Sequence, residues 1–515
     1  MFAWLRPKDR LDDTDVTTGL RMLLYEGMYS QVLVVLTTGA FLVAFALHLG
    51  ASNKVIGLLA AIGPISQILQ IPSIFLVERT GLRKALTLST AFVARAFWLV
   101  IAAIPWVLPD SLKLPVFLFS LFGFFALSAM GGCAYGSWIR DLVPEKSMGT
   151  FFAKRLAYAT AIGAGLSFAA GVGIDVYKRH FENELGAYSI LFTIAAIAGF
   201  LGVGVLFRAP EPKMPETLHR SVRSVLAEPF RDLNFRKLLI FLGWWNFAAN
   251  FAGPFFAVYM IDRLKLNMTW VLGLSLVSQG MNVLFFGVWG RLADRFTNKS
   301  VLAASAPLFF LTFIMWPFTA MPAWSFLSIP LLLVIHALGG ISTAGVAISA
   351  NNLALKGAPF GKSTSYLAMT ALISGMAGTV APLIAGVAAD WFEPQHLSVA
   401  LQWNMENSTL PAVDFHTVDL RGLDFVFLAA FVLGLQAVHR LLAIREEGEV
   451  KEDVVLRQLY SEMRKSVSRQ VSTVAGMRQL SSFPLGKLRT VLRLQPADTP
   501  QPPELATASS GASED

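Results

Sequence analysis

A short charged loop occurs once in each half of this chain, each time between two apolar stretches long enough to cross a membrane. The first copy reads Glu78-Arg79-Thr80-Gly81-Leu82-Arg83-Lys84, the second Gly290-Arg291-Leu292-Ala293-Asp294-Arg295-Phe296-Thr297-Asn298-Lys299. Both contain an acid followed by arginine, then three residues, then a base. A repeat of this kind restricts the chain to a duplicated membrane unit whose halves turn at the same place.

Composition supports the membrane reading. The 515 residues are 55% hydrophobic and only 15% charged, against about 25% charged in soluble domains. Apolar stretches long enough for ~30 Å of hydrocarbon fall near 29–48, 55–77, 85–107, 115–137, 156–176, 187–207, 237–261, 269–290, 301–320, 325–349, 364–390 and 423–443. Backbone groups in lipid must pair internally, so segments of this length are helices rather than strands of a barrel. The expected fold is therefore all-α and integral to the membrane, with twelve transmembrane helices in two pseudo-symmetric six-helix lobes. Its divisions are a terminal segment over 1–28, an N-lobe over 29–208, a linker over 209–236, a C-lobe over 237–443 and a tail over 444–515.

Basic residues give the orientation. The loops on the side of the first segment hold 23 lysines and arginines and the opposite loops seven. The positive-inside rule places the first set, and both termini, in the cytoplasm. The net charge of +8 is thus sorted by membrane side, and no nucleic-acid surface is expected. Met1 to Asp15 has no apolar run and no features of a cleavable signal. Cys133, the only cysteine, excludes an intrachain disulfide and a thiolate metal cage.

The halves match beyond the loop. Thr38-Gly39-Ala40-Phe41 parallels Ala252-Gly253-Pro254-Phe255, Gly57-Leu58-Leu59 parallels Gly273-Leu274-Ser275, and Pro144 and Pro359 stand in corresponding loops. Parallel repeats about an axis normal to the membrane place a substrate site between lobes, near the bilayer midplane. With these features the chain resembles the major facilitator superfamily over about residues 20–445. The resemblance implies a secondary transporter working by rocking-type alternating access. It also implies that Glu78, Arg79, Gly81, Arg83 and Lys84 form one cytoplasmic gate and Gly290, Asp294, Arg295 and Lys299 the other. Two departures from the family's loop stand out: Glu78 replaces the usual aspartate, and Thr297 stands where glycine is usual, so the second copy is expected to turn differently or latch more weakly. Trp138-Ile139-Arg140-Asp141-Leu142-Val143-Pro144 is similar to a subgroup of uncharacterised bacterial members. The fifth span carries Gly163, Gly165, Gly171 and Gly173 without the proline that drug/proton antiporters of the superfamily show there.

Polar residues within the spans are the candidate substrate contacts. Arg95 lies about 15 Å from either end of its span at 1.5 Å per residue; it either binds an anionic substrate or clamps carbonyls or an acid such as Glu26. His336 is a proton carrier or a bridge between helices. Gln31 and Thr38, Gln67 and Gln70, Asn246 and Asn250, and Gln279 with Asn282 put uncharged hydrogen-bonding groups on the first two helices of both lobes, which suits a neutral or zwitterionic solute. The same groups also serve as packing between helices. Phe41, Phe45 and His48 form a stripe that faces the cavity or packs, and Trp244-Trp245 stacks on cargo or anchors at the interface. The spans carry no central acid, so a proton as second partner would use Glu26, His336 or a gate acid.

Neither an ATP-binding loop nor a nucleophile elbow or paired catalytic carboxylates are present, so no enzyme, cofactor or metal is expected, and the default is a monomer in a bacterial inner membrane. Leu456, Leu459, Met463, Val467 and Val471 mark a basic amphipathic helix suited to a lipid surface or a docking partner, followed by a segment rich in proline, alanine, serine and threonine. A transporter-fold sensor signalling through this tail, and efflux of amphipathic compounds or lipids, are the alternatives to solute transport.

Overall fold

Glycine 39 divides the first span. Helix one opens at Asp13, where Asp12 accepts the Asp15 N–H at 2.6 Å and so satisfies one of the orphan donors of a helix start. The helix runs to Thr37 and resumes as Ala40–His48, bent by 40°. At the break Gly39 has φ +63° and ψ −136°, a backbone that residues with a Cβ rarely adopt. Its sequence counterpart in span seven lies inside the continuous helix Leu233–Val258, which contains Pro254.

The structure is a computed structural model that describes residues 7–9, 11–144, 148–181, 183–213, 229–321, 326–357, 363–403, 413–444 and 446. The chain divides into two units, Met1–Val455 and Leu456–Asp515, and every described residue belongs to the first. The amphipathic tail expected around Leu456–Val471 lies outside the described residues, as does the middle of the linker.

Span two runs Asn53–Ser66 and, after a tight turn at Gln67–Leu69, Gln70–Thr80; spans three to six are Arg83–Val107, Asp110–Leu142, Met148–His180 and Glu184–Leu206. Span seven is extended by a π turn at Tyr259–Arg263, and spans eight to twelve are Met268–Arg295, Asn298–Met315, Ser328–Lys356, Ser363–Phe392 and Leu423–Leu441. Among the described residues, ten helices are individually long and apolar enough to cross a membrane, and the two pieces of span one make an eleventh. Span seven is the twelfth; Arg236, Lys237, Asn246 and Asn250 dilute its hydropathy.

The packing repeats with the sequence. In the N-lobe, span three lies on four and six, span one on five and six, and span two on four. In the C-lobe, span nine lies on ten and twelve, span seven on eleven and twelve, and span eight on ten. The lobes meet through two on eleven and five on eight. Phe41 and Phe45 are buried, Phe45 against Phe117 and Phe192, so these two are packing, whereas His48 of the same stripe is exposed and lines a cavity. Trp245 packs on Phe309 and Phe310.

One element departs from an all-helical chain. Between spans eleven and twelve, strand β1 (His396–Trp403) pairs antiparallel with β2 (Val413–Arg421), with an irregularity between Val399 and Ala400. Near its base Asp419 accepts from His396 at 2.5 Å and from Arg421 at 2.8 Å. The Arg421 guanidinium holds the Asp419 carboxyl below its ordinary range.

Candidate functional site

The helices have two ends: a proximal one, with Asp13, Thr80, Arg83, Leu142 and Leu206, and a distal one, with His48, Asn53, Asp175, Met268 and Asp390. Among the described residues, the hydrogen bonds and ion pairs that join the lobes all lie at the distal end. Asp175, near the end of span five, accepts the Met268 N–H at 3.0 Å, the Thr269 N–H at 2.7 Å and the Thr269 hydroxyl at 2.5 Å. A carboxylate there meets both the free N–H groups and the positive pole of helix eight. Asp390, near the end of span eleven, reciprocates: it accepts the Lys54 N–H at 3.4 Å at the start of span two, with Lys54 Nζ at 3.6 Å. Each lobe's fifth helix therefore caps the other lobe's second helix. Glycines make the approach possible. A Cβ on Gly386 would lie 2.8 Å from Asn53 O and 3.1 Å from Lys54 Cα, closer than packing allows.

The charged loops lie at the proximal end. Gly81 ends span two with φ +63°, and the turn sends Arg83 inward until its side chain is fully buried. Arg83 donates to Asp141 at 2.5 Å, Ser137 O at 3.1 Å and Pro212 O at 2.6 Å, and its backbone N–H donates to Glu211 at 2.8 Å. Lys84 donates to the Phe207 and Ala209 carbonyls at 2.9 and 2.8 Å. Trp138 fixes the same strand of chain by donating to Pro210 O at 2.9 Å. The N-lobe loop thus holds the segment that follows span six.

The C-lobe loop does related work by another route. Thr297 is extended (φ −167°, ψ 162°), and its hydroxyl accepts the Ser300 N–H, capping helix nine. Glu446, just past span twelve, accepts from the Lys299 N–H at 2.8 Å and from Asn298 at 3.1 Å. Arg79, Asp294 and Arg295 are exposed, with Arg295 over the Phe296 ring. Gly290 is half-buried beside Ile348. The Glu78 side chain lies outside the described residues.

The interior candidates divide by location. Gln67 and Gln279 are exposed within the lobes' second helices; Gln70 donates to Gln67, and among the described residues Gln279 reaches only Ser275 O at 3.4 Å. Asn250 donates to Asn246 O at 2.8 Å, and Asn246 bonds Ser374 of span eleven at 3.1 Å. Asn282 bonds Thr343 of span ten at 3.0 Å. Gln31 lies against Gly163 of span five, and Thr38 bonds back to Val34 O at 2.7 Å.

Arg95 and His336 sit within lobes. Arg95 donates to Gly199 O at 3.2 Å and Ala91 O at 3.1 Å. Together with Glu26, Thr87 and Tyr135 it lines a cavity of about 130 Å³ inside the N-lobe. Glu26 is buried there, accepting from Ser30 at 2.5 Å, from Arg155 of span five at 2.9 Å and from Tyr135. His336 bonds Leu332 O at 3.0 Å and faces the Trp316 ring. No group of metal-ligating side chains is found among the described residues.

The sequence matches the family model described as Major Facilitator Superfamily over residues 28–382. The chain belongs to the Major Facilitator Superfamily. Solved structures share its fold at low identity. The nucleoside transporter NupG (D323A mutant) aligns with TM-score 0.62 and 13% identity over 83% of this chain and 100% of its own. A D-xylose-proton symporter gives TM-score 0.58 and 12% identity over 84% and 98%. A bacterial homologue of the lysosomal transporter Spinster, inward-facing and unoccupied, gives TM-score 0.56 and 12% identity over 84% and 98%. No curated protein matches the sequence.

Sequence reasoning about this member of the superfamily missed the four acids that hold the ends together: Asp175, Asp390, Glu211 and Glu446. A signal existed. Asp175 and Asp390 occupy equivalent places late in the fifth span of each half, and Glu211 and Glu446 follow the sixth and twelfth spans at equal distance.

Proposed function

We propose that this chain carries a small neutral or zwitterionic polar solute across a bacterial inner membrane, with its proximal end and termini in the cytoplasm. The observation that carries the reading is the one-sided seal: among the described residues, reciprocal carboxylate caps join the lobes distally, while the hydrogen bonds of the proximal loops stay within their own lobes. That is an arrangement open toward the cytoplasm. The opposite state would break the Asp175 and Asp390 caps and bring the charged loops across. Gln67, Gln70, Asn250 and Gln279 are the proposed solute contacts, because they are the interior amides least engaged with neighbouring helices.

The test is thermal stabilisation of purified protein by uridine, D-xylose, an amino acid and an organic anion, run on the native chain, Gln67→Ala with Gln279→Ala, and Arg95→Ala. A solute bound to the folded state alone raises the melting temperature by mass action. Stabilisation by a neutral or zwitterionic solute, lost in the glutamine double variant and kept in Arg95→Ala, is expected. An anion effect lost in Arg95→Ala would replace the neutral-solute reading.

A proton is the proposed second cargo, with Glu26 as its carrier. Arg155, the partner of Glu26, stands on span five, whose distal end carries Asp175. Protonating Glu26 would release Arg155 and loosen the helix that latches the lobes. Glu26→Gln should abolish uptake driven by a pH gradient and retain exchange of labelled solute. Gradient-driven uptake at the native rate would remove Glu26 from the coupling.

A further inference from the structure

A groove of about 620 Å³ opens between spans seven, eleven and twelve. Its walls are Ile240, Gly243, Trp244, Phe247, Ile373 and Leu433, and among the described residues the single charged group lining it is Arg236. Arg236 is exposed and makes no hydrogen bond or ion pair through its side chain among the described residues. From Arg236 to Phe247 the helix rises about 16 Å at 1.5 Å per residue. That is about half of the ~30 Å hydrocarbon thickness, so the groove has the depth of one leaflet, with a cation at its rim and apolar side chains below.

The rim is arranged for an anion. Arg236 and Lys237 lie at the start of span seven, where no acid occupies the first turn. Cations at this end oppose the helix dipole, which favours negative charge there. Asp232, just before span seven, is engaged with the Asn234 and Phe235 N–H groups at 2.9 and 3.0 Å.

We propose that this groove binds one anionic phospholipid, its phosphate on Arg236 and one acyl chain against Ile240, Trp244 and Phe247. A soluble phosphate would use only the rim; the apolar depth below it points to a lipid. The N-lobe supplies an internal control. A groove of about 580 Å³ on spans two and three, walled by Leu76, Leu86, Phe92 and Val93, is lined by no charged residue. It can hold a chain, and among the described residues no charged side chain lines it to choose a headgroup.

The experiment is native mass spectrometry of the full chain in detergent, titrated with phosphatidylglycerol, phosphatidylcholine or glycerol phosphate. Arg236→Gln, Ile240→Trp and Val93→Trp are run alongside; Ile240 and Val93 are 43% and 49% exposed, so neither change burdens the core. Native protein should retain phosphatidylglycerol over phosphatidylcholine by about five-fold, the worth of one basic residue at an anionic surface. Arg236→Gln should erase that preference while keeping both lipids, Ile240→Trp should lower retention of both, and Val93→Trp should leave the preference intact. Equal retention of the two lipids by native protein, or an unchanged preference in Arg236→Gln, would overturn the proposal. So would competition by glycerol phosphate alone, which would make the rim a phosphate site. Binding is read without transport, so the result is independent of the solute and orientation proposed above.

Discussion

In the N-lobe, glycine 81 turns left-handed and delivers a buried arginine to two carboxylates and two carbonyls; in the C-lobe, threonine 297 stays extended and caps the next helix, and Glu446 is held by a backbone N–H. The two loops descend from one pattern and hold equivalent pieces of chain, the segments after spans six and twelve. They differ in where the charge sits. The N-lobe loop adds to its backbone donor a side chain that is fully buried, whereas the C-lobe loop holds Glu446 through the Lys299 N–H and the Asn298 side-chain amide and exposes Asp294 and Arg295. A backbone donor to a carboxylate is common to both loops and survives most substitutions; the buried Arg83 guanidinium is what separates them, so the C-lobe loop is the more tolerant of the two.

The largest expected consequence is at Arg83. Arg83→Ala removes the partner of Asp141 and Glu211, and Glu211 is 2% exposed. Breaking a buried pair from one side costs about 3–5 kcal/mol. Lys299→Ala keeps the backbone donor to Glu446 and should cost less than about 1 kcal/mol, in the range of substitutions that break no buried network. Unfolding of both variants in detergent decides the matter; equal losses would show that the loops are anchored alike.

A smaller effect follows from the turns. Gly81→Thr forces a β-branched residue to φ +63°, at about 1–2 kcal/mol. The mirror change, Thr297→Gly, loses the hydroxyl cap of helix nine and should cost only a few tenths of a kcal/mol, since glycine is itself a tolerated N-cap. Swapping the residues between loops is therefore asymmetric. Melting temperatures that fall equally would mean that the turn geometry is set by the surrounding helices and not by these residues.

Much of this fold is legible in the sequence because it depends on local quantities. Span length, basic-residue asymmetry and the repeated loop each need only a window of residues, and they give the twelve helices and two lobes. Span one is the exception within a span: Thr38-Gly39 looked like one half of a repeat and is a break, because Gly39 takes a backbone that Gly253 does not. The strands His396–Trp403 and Val413–Arg421 are short and lie in a loop between two membrane-length stretches, so the windows that find spans do not register them. Contacts between distant helices are another matter. Rarity inside a span singled out Arg95 and His336, and both turn within a lobe to carbonyls and aromatic rings. Asp175 and Asp390 look unremarkable at helix ends until the opposite lobe brings a helix N-terminus to each.

Glu211 sharpens the comparison through pH. Burial pushes its carboxyl above the ordinary range, against the opposing pull of the Arg83 and Lys84 N–H groups and charges. Its Oε2 is buried without a hydrogen-bond partner among the described residues, where a proton is readily held. A raised carboxyl means that the folded chain binds this proton more tightly than the unfolded chain does. Stability from this group is then fully present below the ordinary glutamate range and is lost as pH rises through the raised value. Glu211→Gln keeps an acceptor for the Arg83 N–H and removes the titration. Its stability relative to the native chain should therefore rise between acid and neutral pH, read as unfolding midpoints across that range. Glu446→Gln weakens acceptance from two donors at 2.8 and 3.1 Å and should lower stability at neutral pH. A Glu211→Gln variant that loses stability relative to native as pH rises would show that the N-lobe latch depends on the ionised carboxylate, and the two loops would then differ in anchoring residue alone.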